Sequence, residues 1–259
     1  MAFFWNPSLT TLTQMSPHPK QHRVHNDLTS YFWSGDAIRS RSVSEVVLSG
    51  RLDVPMPPVR LHLDWQREIS RLNLEPGIVE ALPLARARAR WPDYACSVQA
   101  VSNWMRALGL HEITASNDVA LMVCRGANYH HDGADYGGAA FCNLFLSEDR
   151  GLDLHFPSIG HRIPLTRGTV VIFDTGQPHA VIQRHSSGFS VADFPPEQDW
   201  TQLFLTWELP IEDAHVARAL QVTFDDDSAT SSLLGEEQIW MGGAPAVVCP
   251  NSGRWCTTD

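Results

Sequence analysis

Two histidines and a carboxylate in this 259-residue chain have the types and spacing of a metal-ligand set: His130 and Asp132, within His130-His131-Asp132, and the distal His179. Two imidazoles and one carboxylate hold a redox-active iron on one face and leave its other positions open, the arrangement of an oxygen-activating metalloenzyme. Residues i and i+2 of a strand project to the same side, so His130 and Asp132 can grip one ion while His131 points away. The third ligand must come from a different strand. Gly168-Thr-Val-Val-Ile-Phe-Asp174 is a short apolar, β-branched and aromatic run, and Asp174-Thr-Gly-Gln-Pro178 is a turn-rich segment that would deliver His179 onto the next strand. An H-x-D tripeptide alone is weak in a chain with 12 histidines, so its context carries the reading. The competing reading is hydrogen-bonded histidines at strand ends.

From Ala115 onward the chain consists of short β-rich runs separated by Gly, Asp and Pro, the texture of a barrel or jelly roll rather than of βαβ units. Ahead of it lies a helical region. Asp64 to Leu74 is helix-compatible until Glu75-Pro-Gly77 stops it. Between Asp93 and Leu108, the residues Tyr94, Val98, Val101, Met105 and Leu108 share one helical face, with Asp93 as N-cap and Gly109 as C-terminal stop. That face should pack on the sheet. Glu45 to Leu52 reads as an edge strand and Asp53-Val-Pro-Met-Pro-Pro58 as a linker. Residues 1 to about 45 read as an arm over the core, whose His18, His22 and His25 are too irregularly spaced for a metal site. Ile211 to Leu220 reads as a short helix, followed after Asp225 by a loop-rich tail that Trp240 and Trp255 could dock. The expected organisation is one structural domain: arm and linker 1–58, helical support 59–112, β core 113–212, and C-terminal helix and tail 213–259.

A formal charge of −10 gives no footprint for a phosphate backbone, so nucleic-acid binding is not expected, and Arg86, Arg88 and Arg90 read as a solvated surface. No basic leader precedes an apolar stretch and no apolar run approaches about 18 residues, so neither export nor membrane spanning is expected. The five cysteines follow no zinc or haem spacing. Cys124 and Cys142 read as small core residues, Cys249 and Cys256 could loop together, and the odd total favours a reduced, cytoplasmic protein. The oligomeric state is not legible.

Five segments together resemble a known family. They are Val123-Cys-Arg-Gly-Ala-Asn-Tyr-His130-His-Asp132, Phe141-Cys-Asn-Leu-Phe-Leu146, Leu152-Asp-Leu-His-Phe156, Leu165-Thr-Arg-Gly168-Thr-Val-Val-Ile-Phe173 and Pro178-His179-Ala-Val-Ile182. In order and spacing they are similar to the Fe(II)- and 2-oxoglutarate-dependent dioxygenases, over about residues 119 to 209. The resemblance implies a mainly β fold, a double-stranded β-helix (jelly roll, cupin-like) core with flanking α-helices. It implies Fe(II), O₂ and 2-oxoglutarate as cosubstrate, with His130, Asp132 and His179 as catalytic metal ligands and Asn143 lining the cosubstrate pocket. Members convert 2-oxoglutarate to succinate and CO₂ while oxidising a C–H bond. Halogenating members keep a small residue at the carboxylate position, so Asp132 points to hydroxylation, desaturation or ring chemistry.

The chain departs from the family at one place. Members carry an Arg or Lys at the start of the strand after the distal histidine, where it pairs with the far carboxylate of 2-oxoglutarate. Here Ser190 is near that spacing, or Thr201 or Gln202 if Thr201-Gln-Leu-Phe-Leu-Thr-Trp-Glu208 is the equivalent strand. The sole lysine is Lys20, so an arginine must serve: Arg125, Arg150, Arg162, Arg167 or Arg184, of which Arg184 is nearest to His179 although strict alternation turns it to the opposite face. Tyr136, in the loop Gly133-Ala-Asp-Tyr-Gly-Gly138, stands where a pocket mouth would be and could contact substrate. A compact chain favours a small molecule, such as an amino acid or biosynthetic intermediate, as substrate. Two other readings stay open: a cupin-like metalloenzyme with the same triad but no 2-oxoglutarate, and a non-catalytic β-barrel binding module.

Overall fold

The computed structural model describes residues 28–110 and 119–258. In chain order its elements are β1 (Leu28–Ser34), β2 (Ala37–Ser42), β3 (Val47–Arg51), α1 (Val59–Leu72), β4 (Val79–Leu82), α2 (Leu84–Arg88) and α3 (Tyr94–Ala107). Then come β5 (Val119–Cys124), β6 (Ala127–His130), β7 (Ala139–Phe145), β8 (Leu152–Phe156), β9 (His161–Pro164), β10 (Thr169–Asp174), β11 (His179–Gln183) and β12 (Gln202–Pro210). The chain finishes with α4 (Ala214–Leu220), α5 (Ser228–Ser231), β13 (Gln238–Met241), β14 (Ala244–Val248) and β15 (Trp255–Thr257).

Strands β5 to β12 divide equally between two antiparallel sheets. One has the order β3-β10-β7-β12-β5-β4 and the other β6-β11-β8-β9. Apart from the β8–β9 hairpin, each successive strand crosses to the other sheet, which is a double-stranded β-helix, as the resemblance implied. The expected edge strand is β3, paired with β10.

The six-stranded sheet carries apolar side chains on both faces because both are covered. On β10, Val170 and Ile172 join the core beneath the helices while Val171 and Phe173 face the other sheet. On β12, Leu203, Leu205, Trp207 and Leu209 face the helices, and Phe204 faces inward with every second residue after it. This explains why Thr169–Asp174 reads as an unbroken apolar run rather than an alternating one. The helical layer seats Leu61 and Trp65 of α1 and Val101 and Met105 of α3 on that face, each side chain contributing about 1.5–3 kcal/mol by burial. Helix α3 matches the expected span and face, although the side chain of Asp93 makes no capping bond.

Two regions differ from expectation. Residues 28–42 are not an arm but the strand pair β1–β2, and the tail is not loop-rich, since it forms β13, β14 and β15. All five make one sheet in the order β15-β14-β13-β1-β2. The decisive pairing is between β1 and β13, Leu28 opposite Met241, a contact between opposite ends of the chain that no local pattern announces. Trp240 does dock, edge-on against Tyr31 at 5.4 Å. Cys249 and Cys256 are free thiols, as are the other three cysteines, and Cys124 and Cys142 are buried as expected. Arg88 stacks over Tyr94 and Arg90 pairs with Asp64 at the surface. Among the described residues no helix is long and apolar enough to cross a membrane. The histidines at 18, 22 and 25 lie outside the described residues.

Candidate metal centre

His130 and His179 are direct cross-strand partners, the last residue of β6 opposite the first of β11. Their rings lie 4.4 Å apart between centroids. The Nδ1 atom of each is hydrogen-bonded to a carbonyl two residues back, His130 to Asn128 O at 2.8 Å and His179 to Gln177 O at 3.0 Å. A ring that donates from Nδ1 presents an unprotonated Nε2, the atom a metal needs. Both Nε2 atoms face Asp132, His179 at 3.5 Å from Oδ2 and His130 at 3.8 Å from Oδ1. The potential ligand atoms of the three residues all lie within 4.8 Å of one another, the dimensions of a three-point facial site.

Electrostatics act in opposite senses on two of these residues. Burial holds His179 well below its ordinary pKa, with the neighbouring His130 adding to the effect, so its ring is neutral. Phe173, edge-on at 4.7 Å, forms much of that apolar surround. Burial raises the Asp132 carboxyl, which makes an apo site with a desolvated carboxylate unfavourable and a bound cation its natural compensation. His131 points away, as expected, and its ring sits 5.0 Å from that of Trp255, where burial pushes it down to about 4.

One expectation about the ligands needs correction. Asp132 is not on the strand with His130, because β6 ends at His130 and Asp132 lies in the following loop. Its carboxylate is aimed by the loop instead. Asp132 N donates to Thr175 O at 2.8 Å, and Thr175 Oγ1 donates to Tyr136 O and Ala139 O. The Asp132 loop is thereby bonded to the turn that carries His179.

Beneath both segments lies a fully buried ion pair that the sequence did not reveal. Arg41 of β2 donates to Asp174 from Nη1 at 2.7 Å and Nη2 at 2.9 Å, and from Nε to Gly137 O at 2.8 Å. Asp174 also accepts from Ser44 N and Gly176 N, each at 2.8 Å. One guanidinium therefore spans the Asp132 loop and the His179 turn. The two segments also pass close together at Gly133, where an added Cβ would stand 3.0 Å from Gly176 Cα and 2.9 Å from Ile239 Cδ1. Gly133→Ala is expected to force these loops apart, costing about 1–3 kcal/mol and weakening iron binding. Thermal unfolding with and without Fe(II) checks this, and a fully native melting curve would show that the loops yield freely.

The site opens into a cavity of about 640 Å³ between the two sheets. Asn143 and Tyr136 both line it; Tyr136 is 41% exposed at the mouth, with its ring 5.2 Å from Phe141. Burial raises the Tyr136 hydroxyl, and the charges of Glu208, Asp132 and Asp135 add to this. Paired residues of β12 and β7 descend from mouth to floor: Glu208 opposite Phe141, Thr206 opposite Asn143, Phe204 opposite Phe145. Glu208 and Thr206 were not singled out in sequence, although alternation from Phe204 would have found them.

Arg184 does not enter this cavity. Its guanidinium pairs with Asp149 at 2.8 Å and Asp153 at 2.9 Å. Strand alternation explains it: His179 and Val181 line the cavity, and Arg184 has the opposite parity. The other candidates are engaged elsewhere. Arg162 donates to Arg184 O and Ser186 O, Arg167 pairs with Glu148, Arg150 pairs with Asp199, and Arg125 lines a separate groove with Glu197 and Asp199. Among the described residues no Arg or Lys lines the cavity. The three-residue site fits iron, but the lining does not fit the far carboxylate of 2-oxoglutarate.

Neither a protein-family model nor a curated protein matches the sequence. Solved structures do. A Pseudomonas putida prolyl-4-hydroxylase is 16% identical, with 63% of this chain and 92% of that chain covered and a TM-score of 0.35. A prolyl 4-hydroxylase from Phytophthora capsici is 19% identical over 61% of this chain and 56% of its own, TM-score 0.35, so the match spans little more than half of that protein. The non-heme alpha ketoglutarate dependent carbocyclase SnoK from nogalamycin biosynthesis is 9% identical, covering 66% and 85%, TM-score 0.33. At these scores the fold assignment stands on the strand order of the chain itself.

Proposed function

We propose that this chain is a non-haem iron oxygenase in which His130, Asp132 and His179 hold Fe(II), and which couples oxidative decarboxylation of a 2-oxo acid to oxidation of a C–H bond, most simply hydroxylation, in a small molecule. The observation that carries this reading is the convergence of two Nε2 atoms and one carboxylate within 4.8 Å at a cavity between the two sheets. Bound by His130, Asp132 and His179, Fe(II) would supply the redox chemistry, with the 2-oxo acid and O₂ as co-reactants.

The residues of the chain hold, orient and shield. The two carbonyl-tethered histidines fix the ligand tautomers. The rings of Phe173 and Phe156 pack against that of His179, and Phe141 packs on Phe173 and lines the cavity, which gives the centre one apolar wall. Tyr136 and Glu208 stand at the entrance, where a substrate must pass and where their polar ends can position it. The cavity volume suits a small molecule such as an amino acid or biosynthetic intermediate. A reduced, cytoplasmic setting agrees with five free thiols.

The test is turnover without a known substrate. Iron-loaded protein, offered a panel of 2-oxo acids with charged and uncharged chains, is expected to release CO₂ slowly and only in the presence of O₂, and chelation of the iron should stop it. Iron bound at full occupancy with no decarboxylation of any acid would remove the 2-oxo acid and favour the cupin-like reading with the same triad.

A further inference from the structure

A cavity that encloses a metal-chelating acid must match the far end of that acid as well as its binding end. In this chain the two ends differ sharply. At the mouth are the three potential iron ligands; at the floor are Met122, Cys124, Phe145, Val181 and Phe204. Gln202 opens β12 just beyond this floor, in register with Cys124 and on the same face as Phe204 and Thr206. It is fully buried, and neither its amide oxygen nor its amide nitrogen has a hydrogen-bond partner. Asn143 Oδ1 and Thr206 Oγ1, opposite each other across β7 and β12, are also buried without partners. Buried polar atoms left unpaired are rare and mark places where a ligand or water completes the bonding. These are neutral groups, and no Arg or Lys accompanies them in the described lining.

A carboxylate driven to this floor would lose its hydration and meet no counter-charge among the described residues. We infer that the 2-oxo acid used at this centre has a chain ending in an uncharged group, apolar or hydrogen-bonding, and is not 2-oxoglutarate. The inference rests on the function proposed above. The overall reaction balances for any chain R: R–CO–COO⁻, O₂ and a substrate C–H give R–COO⁻, CO₂ and C–OH. The bond between the two carbonyl carbons breaks; one oxygen atom enters the product acid and the other the substrate. Because R takes no part, the cavity alone decides it.

Anaerobic titration of the iron-loaded full chain decides the matter, read by the visible metal-to-ligand charge-transfer band of a chelated 2-oxo acid. The probes are 2-oxoglutarate, 2-oxohexanoate and 4-methyl-2-oxopentanoate. An uncharged acid is expected to half-saturate at a concentration about a hundredfold below that for 2-oxoglutarate. A preference under about tenfold, or one for 2-oxoglutarate, overturns the inference while leaving the proposed oxygenase intact. No band with any probe, iron being bound, overturns both. Gln202→Lys supplies the absent charge and should move the preference toward 2-oxoglutarate; should that variant fail to fold, the wild-type titration stands alone as the deciding measurement.

Discussion

Replacing Asp132 with Ala is expected to lower Fe(II) affinity by more than about 100-fold, because two imidazoles remain where two imidazoles and an anion stood. The metal-free fold should not suffer. Asp132 in the apo protein is a desolvated carboxyl whose pKa is raised by burial, so its removal relieves an unfavourable group rather than deleting a favourable contact. The expected pattern is therefore an apo melting temperature equal to or above wild type, with the stabilisation by added Fe(II) gone. Calorimetric titration with Fe(II) under anaerobic conditions and thermal melts with and without metal give both halves. Wild-type iron affinity in this variant would sink the assignment of Asp132 as a ligand, and loss of fold without metal ever binding would support the silent β-barrel module.

The second large effect is expected at Arg41, which touches no ligand side chain. Surface pairs such as Arg67–Asp64 and Arg71–Glu68 are worth about 0–1 kcal/mol each. The Arg41–Asp174 pair is different in kind, since both side chains are wholly inaccessible. Arg41→Ala leaves Asp174 as a buried charge without its partner, with an expected loss of about 3–5 kcal/mol in denaturant unfolding. Because Arg41 also bonds Gly137 O, the same variant should bind iron more weakly even under conditions where it stays folded. Arg41→Lys should recover only part of either effect, since an ammonium cannot reproduce the fork that reaches Asp174 and Gly137 O together. A stability change below about 1 kcal/mol would mean that the pair is dispensable.

The ligand set was legible because each member sat in a local pattern with physical meaning: a strand end, an apolar β-branched run, a turn rich in Gly and Pro. Even so, the geometry assumed for Asp132 was wrong, since a loop held by Thr175 rather than strand alternation brings it to the histidines. Alternation was the better guide for Arg184, where parity pointed to the outer face and proximity in sequence pointed to the cavity; Asp149 and Asp153 on that outer face decided it. The helix over Tyr94–Ala107 was legible from its periodicity. Residues 28–42 were not, because an isolated strand pair with Ser, Thr and Arg in it looks like irregular chain until its partner is known, and that partner is β13. Arg41 was invisible for the same reason: its counter-ion lies 133 residues away.

The pairing of β1 with β13 also sets a clock on how the molecule is made. Contacts between distant segments are slow to form, because loop closure must precede any gain from them. During synthesis the eight strands of the β-helix emerge first and can collapse while β1 still has an open edge, since Gln238–Met241 has not yet left the ribosome. Arg41 reaches the turn before His179 from the neighbouring strand of that same late sheet. The side chain that ties the Asp132 loop to the His179 turn thus stands in a sheet that β13 joins from more than 60 residues beyond that turn, so the ligand geometry rests on segments that precede and follow the whole β-helix.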